Sequence, residues 1–350
     1  MRVLLTGSAG FIGSAIAAQL AEAGDEVVPV DVMLANAHGA GEPPRGTHTL
    51  DVRDAATSRA WAELLDGVDV VCHQAALVGA GVAVSDLPEY AAHNDLGTAA
   101  VMAAMHEAGV GRLVVASSMV VYGEGRYACP DHGPQVPGPR GVAALDAGDF
   151  ENHCPVCGEA LAWELVDEDA RLDPRSTYAA SKLAQEHYAA AWVRQAGASA
   201  IALRYHNVYG PGMPRDTPYS GVAAMFRSSL ERGEAPTVYE DGGQMRDFVH
   251  VHDVARANVL AMRRVAEADA AAYAAYNVCS GQPVSILDVA RQVAAGTGSG
   301  LEPEVTGGYR LGDVRHIVAS PERARAELGF TAAIGPDEGL QEFATAPLRA

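Results

Sequence analysis

Positive charge is scarce in this chain: 25 Lys and Arg stand against 44 Asp and Glu, a formal net charge of −19 over 350 residues. That balance repels nucleic acid and anionic membrane surfaces, so neither is expected as a partner. An anionic ligand would have to be held by particular arginines acting against the global field. No run of about 18 apolar residues occurs, so no membrane-spanning helix is expected. The opening Met1-Arg2-Val3-Leu4-Leu5 is interrupted at Thr6 and Gly7, too early for the apolar core of a secretory leader, and a cytoplasmic location is expected. Only five cysteines are present, an odd number that argues against a disulfide framework in such a chain. Internal repeats and low-complexity tracts are also lacking, apart from general alanine richness.

What is present begins at the first residue. Met1 to Thr6 reads as a short buried strand, followed by Gly7-Ser8-Ala9-Gly10-Phe11-Ile12-Gly13 and a helical pattern through Ile16 and Leu20 to Gly24. A glycine-rich turn between strand and helix lets backbone amides approach a pyrophosphate at the helix N-terminus. A second strand, Glu26 to Val30, ends in Asp31, roughly 20 residues past the loop, where an acid can hold ribose hydroxyls. An acid there repels a 2′-phosphate, so NAD is expected over NADP.

Strands and helices then alternate to about residue 205. Val68–Cys72, Arg112–Ser117 and Ala200–Arg204 read as strands, and 88–108 and 178–195 as helices. This pattern implies an α/β fold with a doubly wound parallel sheet. Past Pro211 the elements become shorter and richer in loops. We therefore expect a main domain over 1–210, with an insertion at 124–173, and a smaller C-terminal substrate-binding lobe over 211–350. The lobe should be interleaved with the last strands of the main domain.

Tyr178 and Lys182 lie one helical turn apart on one face. An ammonium near a phenol favours the phenolate, which gives a base for a sugar or alcohol hydroxyl near neutral pH. In the insertion, Cys129-Pro130-Asp131-His132 and His153-Cys154-Pro155-Val156-Cys157-Gly158 make two close pairs. Three thiolates and one histidine suit a closed tetrahedral site for structural zinc. The expected ligands are Cys129, His132, Cys154 and Cys157, with His153 as the alternative fourth.

These residues carry a family resemblance over nearly the whole chain. Thr6-Gly7-x-x-Gly10-x-x-Gly13, His73-Gln74-Ala75-Ala76, Ser117-Ser118-x-x-Val121-Tyr122-Gly123, the Tyr178/Lys182 pair, Arg204-Tyr205-His206-Asn207-Val208-Tyr209-Gly210-Pro211 and Arg246-Asp247-Phe248 resemble the extended short-chain dehydrogenase/reductases that act on nucleotide sugars. The resemblance implies a Rossmann fold, NAD as cofactor and a nucleotide-diphosphate sugar as substrate. It also implies a homodimer paired through helices 88–108 and 178–195.

Residue by residue, it places Phe11 and Ile12 at the pyrophosphate, Asp31 at the ribose, and Asp51 and Val52 at the adenine. Ala75, Ala76 and Asn94 line the path to the nicotinamide, with Lys182 on its ribose, and Ser117, Tyr205 and His206 also belong to the cofactor site. Ser118 shares the sugar hydroxyl with Tyr178. Asn207, Arg246 and Arg310 would hold the diphosphate, with Thr237, Val238 and Tyr239 beside the base. His206 departs from the phenylalanine usual in the family.

Between Ser118 and Val121 stand Met119 and Val120, where dehydratases and decarboxylases of this kind carry acids. Without a second acid the implied activity is reversible C4 epimerisation. The cysteine-bearing insertion and the run Gly123-Glu124-Gly125-Arg126-Tyr127 resemble the dTDP-L-rhamnose 4-epimerase subgroup. A UDP-hexose or UDP-uronate 4-epimerase would use the same residues. A net oxidoreductase or dehydratase and a non-catalytic NAD sensor are further alternatives, the last opposed by the intact Ser118, Tyr178 and Lys182.

Overall fold

The computed structural model describes residues 1–39, 41–79, 83–215, 221–268 and 270–349. Its main element is a seven-stranded sheet. From one edge to the other the strands are Ala272–Val278, Ser199–Tyr205, Arg112–Ser118, Val70–His73, Arg2–Thr6, Glu26–Asp31 and His48–Thr49. Every pairing in it is parallel. Parallel strands covered on both faces read as continuous apolar runs, which is why the strands were visible in the sequence.

Alternate residues of those strands go to opposite layers. Val3, Leu5, Cys72, Val114 and Leu203 pack with Ile16 and Leu20 of helix Phe11–Glu22 and with Ala257 and Ala261 of helix Val251–Ala266. Leu4, Val71, Val115 and Ala202 pack on the other side with Ala100, Met105, Ala189 and Val193. The last two belong to helix Thr177–Ala196, whose Ser176 caps the Ala179 amide.

The helix expected over 88–108 is divided. Leu87–Tyr90 and Gly97–Glu107 are α-helical, and Ala91–Leu96 between them is a π-helical turn. Inside that turn Asn94 leaves the ordinary helical register. Its carboxamide accepts from Leu77 N at 2.7 Å and donates to Leu77 O at 3.0 Å and Ser181 Oγ at 2.8 Å. Such widened turns often occur at functional sites. Gly97 then lets the helix approach Val52, since a Cβ there would lie 2.7 Å from Val52 Cγ2.

The smaller lobe is built on a second sheet of Asn207–Tyr209, Met245–His250 and Pro283–Ser285. Helices Val222–Glu231, Ile286–Thr297 and Pro336–Phe343 enclose Tyr209, Phe248, Val289 and Phe343 with it. In chain order, strand Ala272–Val278 of the main sheet falls between Met245–His250 and Pro283–Ser285 of the second sheet. The insertion forms a third sheet of Gly133–Gln135, Arg126–Cys129 and Ala162–Glu164, with Tyr127, Cys129, Cys154 and Leu161 as its small core.

Candidate active site

A cavity of about 390 Å³ opens at the carboxyl ends of the main-sheet strands, where parallel α/β sheets bind ligands. Gly7, Gly10, Phe11, Ile12 and Gly13 form one wall and Asp31 one end. The glycines are required by close approach. Gly7 has φ +66° and a Cβ there would meet Ala75 N at 2.8 Å, while a Cβ at Gly13 would lie 2.0 Å from Gly7 O. Gly10 caps helix Phe11–Glu22 without any side-chain hydrogen bond, which leaves first-turn amides for an anion. The cradle fits a dinucleotide pyrophosphate.

At the other end stand Ser118, Tyr178 and Lys182, together with Ala75, Ala76, Ser117, Tyr205, His206 and Asn207. The cap at Ser176 starts the helix so that Tyr178 and Lys182 face the strand ending at Ser118. Lys182, the only lysine in the sequence, is buried and donates from Nζ to Ala116 O at 2.9 Å. Burial brings its pKa down to about 7, opposed by Glu186 one turn further along the helix. Tyr178 is hydrogen-bonded to the Ser118 side chain, which lowers its pKa, but burial outweighs this and raises the phenol above its ordinary value. Lys182 is shielded from water, whereas Tyr178 is half-buried on the cavity wall, and Nζ sits 5.9 Å from its ring centroid. Tyr90 completes the setting, its ring 6.0 Å from that of Tyr178.

A buried polar network supports this end from behind. Ser117 Oγ donates to Glu186 Oε1 at 2.5 Å, and Arg204 meets Glu186 Oε2 at 2.7 Å and the Tyr122 hydroxyl at 2.8 Å. The Tyr205 hydroxyl bridges Gln74 and Asn258 at 2.9 Å each. His206 is buried, and its imidazole is brought down to about 3 by burial and by the charge of Arg246. It is neutral at physiological pH.

Of the other expected site residues, Val52 and Asn207 line the cavity, while Asn94, Asp51, Arg246, Arg310 and Thr237 to Tyr239 lie off its wall. Asn94 is fully buried and ties helix Thr177–Ala196 to the Leu77 backbone instead of lining a path. Val52 lines the cavity, while the Asp51 carboxylate turns to Arg53 at 2.5 Å. Asn207 donates to Asp247 O at 3.0 Å. Arg246 donates to the carbonyls of Met245 and Arg315 at 2.9 Å and of Val314 at 2.7 Å, and so braces the segment that carries Arg310. Arg310 is exposed, its guanidinium 5.0 Å from the Tyr239 ring centroid. Thr237–Val238 pairs with Glu304–Val305 next to it. These residues form a rim on the lobe side. His38, His93, Met213 and Arg349 also line the cavity and carry no motif that would have indicated it.

In the insertion, Cys129, His132, Cys154 and Cys157 place their ligand atoms within 4.8 Å of one another. Cys129 Sγ lies 3.4 Å from His132 Nδ1 and 3.7 Å from Cys157 Sγ, and Cys154 Sγ is 3.8 Å from His132 Nδ1. His153 is turned away to Gly158 O at 2.8 Å and Asp149 at 2.9 Å. Cys72 and Cys279 are isolated buried thiols.

The insertion is joined to the lobe by charge. Arg315 meets Glu151 at 2.6 Å and both Glu240 and Asp241 at 2.8 Å, and Arg140 meets Glu240 at 2.8 Å. Glu151 also holds His316 Nε2 at 3.0 Å, and His316 Nδ1 accepts from Met245 N at 3.0 Å.

Fold and site together define a dinucleotide-binding protein with a Ser/Tyr/Lys centre. The chain belongs to the NAD dependent epimerase/dehydratase family, whose description matches residues 3–139 and 156–279. It is 35% identical to a dTDP-L-rhamnose 4-epimerase of Burkholderia thailandensis, over 98% of this chain and 94% of that protein. Among solved structures it resembles MoeE5 in complex with UDP-glucuronic acid and NAD, with 33% identity, 98% of each chain covered and a TM-score of 0.75. It also resembles the Thermus thermophilus UDP-glucose 4-epimerase in complex with NAD, with 31% identity, 98% of each chain covered and a TM-score of 0.75.

Proposed function

We propose that the protein is an NAD-dependent 4-epimerase of a nucleotide-diphosphate sugar, with a dTDP-linked 6-deoxyhexose of the L-rhamnose type as substrate. One observation carries the reaction type. Among the described residues Asp31 is the only carboxylate lining the cavity, and it stands three strands away from Ser118, roughly 14 Å at the usual strand spacing. Met119 and Val120 cannot transfer protons, and His206 is held neutral. Elimination of water or loss of carbon dioxide needs a further acid or base beside the sugar. A single proton exchanged at one hydroxyl does not.

The glycine loop, Asp31, Val52, Ala75, Ala76 and Lys182 would hold NAD, which supplies the hydride acceptor and donor. Tyr178 takes the proton of the C4 hydroxyl and returns it, Ser118 holds that oxygen, and Lys182 adds charge at the same place. The Ser118 hydrogen bond favours the phenolate of Tyr178, the form that takes this proton. Arg246 and Arg310 would meet the diphosphate from the lobe side, where a planar fork suits phosphate oxygens.

The likeness to the B. thailandensis enzyme, together with the cysteine-bearing insertion, favours the dTDP-sugar. A UDP-hexose or UDP-uronate 4-epimerase is the second reading, favoured by the likeness to MoeE5 with its bound UDP-glucuronic acid. Purified protein incubated without added cofactor with a panel of dTDP- and UDP-sugars, with products resolved by NMR, tests both. Inversion of UDP-sugars alone overturns the dTDP assignment, and accumulation of a 4-keto product overturns the epimerase.

The same reading includes one structural zinc held by Cys129, His132, Cys154 and Cys157. Ordinary zinc–ligand lengths give tetrahedral edges of about 3.8 Å between sulfurs and about 3.6 Å from sulfur to nitrogen. The distances of 3.4, 3.7 and 3.8 Å are close to these, and four protein ligands would leave no open position for catalysis. We further read the protein as a cytoplasmic homodimer, in keeping with the absence, among the described residues, of any helix long and apolar enough to cross a membrane. Sedimentation of the purified protein tests the dimer.

A further inference from the structure

At the Asp31 end of the cavity a chain of polar groups reaches in from the far C-terminal part of the sequence. Asp31 is buried, and its carboxylate accepts from Ala9 N at 3.0 Å and Met33 N at 2.9 Å. His38 Nε2 stands 3.3 Å from the same carboxylate, and its Nδ1 lies 2.6 Å from Arg349 Nη2. A guanidinium can only donate, so Nδ1 is the acceptor. The proton of a neutral ring is then on Nε2, directed at Asp31. The order Arg349, His38, Asp31 therefore fixes a tautomer and aims one carboxylate.

Arg349 is itself held in place. Its N–H donates to Met213 O at 3.0 Å and its carbonyl accepts from Arg215 N at 3.0 Å, while Pro347 O accepts from Gly212 N at 2.8 Å. This short pairing lays the segment along the cavity rim, and His38, Pro214 and Arg349 all line the cavity there.

We propose that Arg349 and His38 form the adenosine end of the cofactor site: His38 orients Asp31 for the ribose diol, and Arg349 covers the adenosine from the rim. This rests on the reading of the cavity as an NAD site. The arginine retains further N–H donors, and a guanidinium can stack on an adenine face as well as donate to a ribose oxygen. The cofactor's release would then require the segment around residue 349 to part from residues 212–215.

The test is NAD+ binding by nucleotide-free protein, followed by calorimetry and by the rate of NAD+ release, in wild type, Arg349→Ala and His38→Ala. Losing a charge-assisted contact at such a site should weaken NAD+ binding about tenfold in Arg349→Ala and quicken release by a similar factor. His38→Ala should weaken it too, and His38→Gln should recover part of the loss. Should His38→Ala fail to fold, the Arg349 variant decides alone. Unchanged affinity and release in Arg349→Ala overturn the proposal. So does a loss confined to NADP+, since the arginine would then read a 2′-phosphate. Absence of NAD+ binding by wild type would overturn the cavity reading itself.

Discussion

The two ends of the site are built from different materials. The cofactor cavity is made of backbone amides, glycines and small apolar side chains on the strand ends of one parallel sheet. The seam between insertion and lobe is made of ion pairs: Arg315 and Glu240 are each about 2% exposed in their side chains, and Arg140 is 5% exposed. The first arrangement presents donors to a ligand. The second uses its charges on itself, and what it positions is the rim carrying Arg246 and Arg310. The cavity should therefore respond to substitution in chemistry and binding, and the seam in stability and substrate affinity.

The largest effect belongs to the cavity. Tyr178→Phe should lower turnover by a factor of about 10² to 10⁴, the usual worth of a positioned acid–base group, with NAD+ affinity nearly unchanged. Steady-state rates and calorimetric NAD+ binding on the same preparation check it. Substantial residual turnover would remove Tyr178 from its role.

In the insertion, metal analysis should find close to one zinc per chain, and the Cys154→Ser/Cys157→Ser double variant should lose it. Because metal binding is coupled to folding, the variant should melt several degrees lower while NAD+ binding persists. A wild-type protein without zinc, or a variant with the same content, contradicts the assignment.

The seam itself is probed by Arg315→Ala, which leaves Glu240 with Arg140 alone and Glu151 with His316 alone. Breaking a buried pair costs roughly 3–5 kcal/mol, and the remaining partners should bring the loss to the lower end or below. Thermal unfolding measures it. KM for the nucleotide sugar should rise more than kcat falls, because the segment that carries Arg310 is released.

A smaller effect follows from pH. Burial would raise the Glu151 carboxyl, but hydrogen bonds and charge from His316 and Arg315 bring it down to about 2. A depressed carboxylate contributes stability that is fully present above its unfolded value, near 4.5, and lost as pH falls toward 2. Glu151 is 36% exposed, so screening limits the contribution to on the order of 1 kcal/mol. Glu151→Gln should flatten this part of the acid limb in a comparison of melting temperatures at pH 5 and pH 3.

The same contrast explains what the sequence made legible. Strand–glycine–helix order, Asp31 and the Tyr178/Lys182 spacing are local, so the cavity's main parts could be read before any coordinates. Cys129, His132, Cys154 and Cys157 were readable for the same reason, as two close pairs. The pairs Glu151–Arg315 and Arg140–Glu240 join distant segments, and nothing local distinguishes them from solvated surface charges. Arg349 reaches His38 across nearly the whole chain. The π-helical turn at 91–96 was also hidden, because Asn94 breaks the helix by bonding to Leu77, a tertiary partner.

Exchange of one proton and one hydride at C4, with no second acid, is tested with a C4-deuterated nucleotide sugar. With purified protein and no added cofactor in ordinary water, NMR should find the C4 epimer with deuterium still on C4 and no 4-keto product. Loss of deuterium to solvent in the epimer, or a 4-keto sugar that accumulates, would contradict the account.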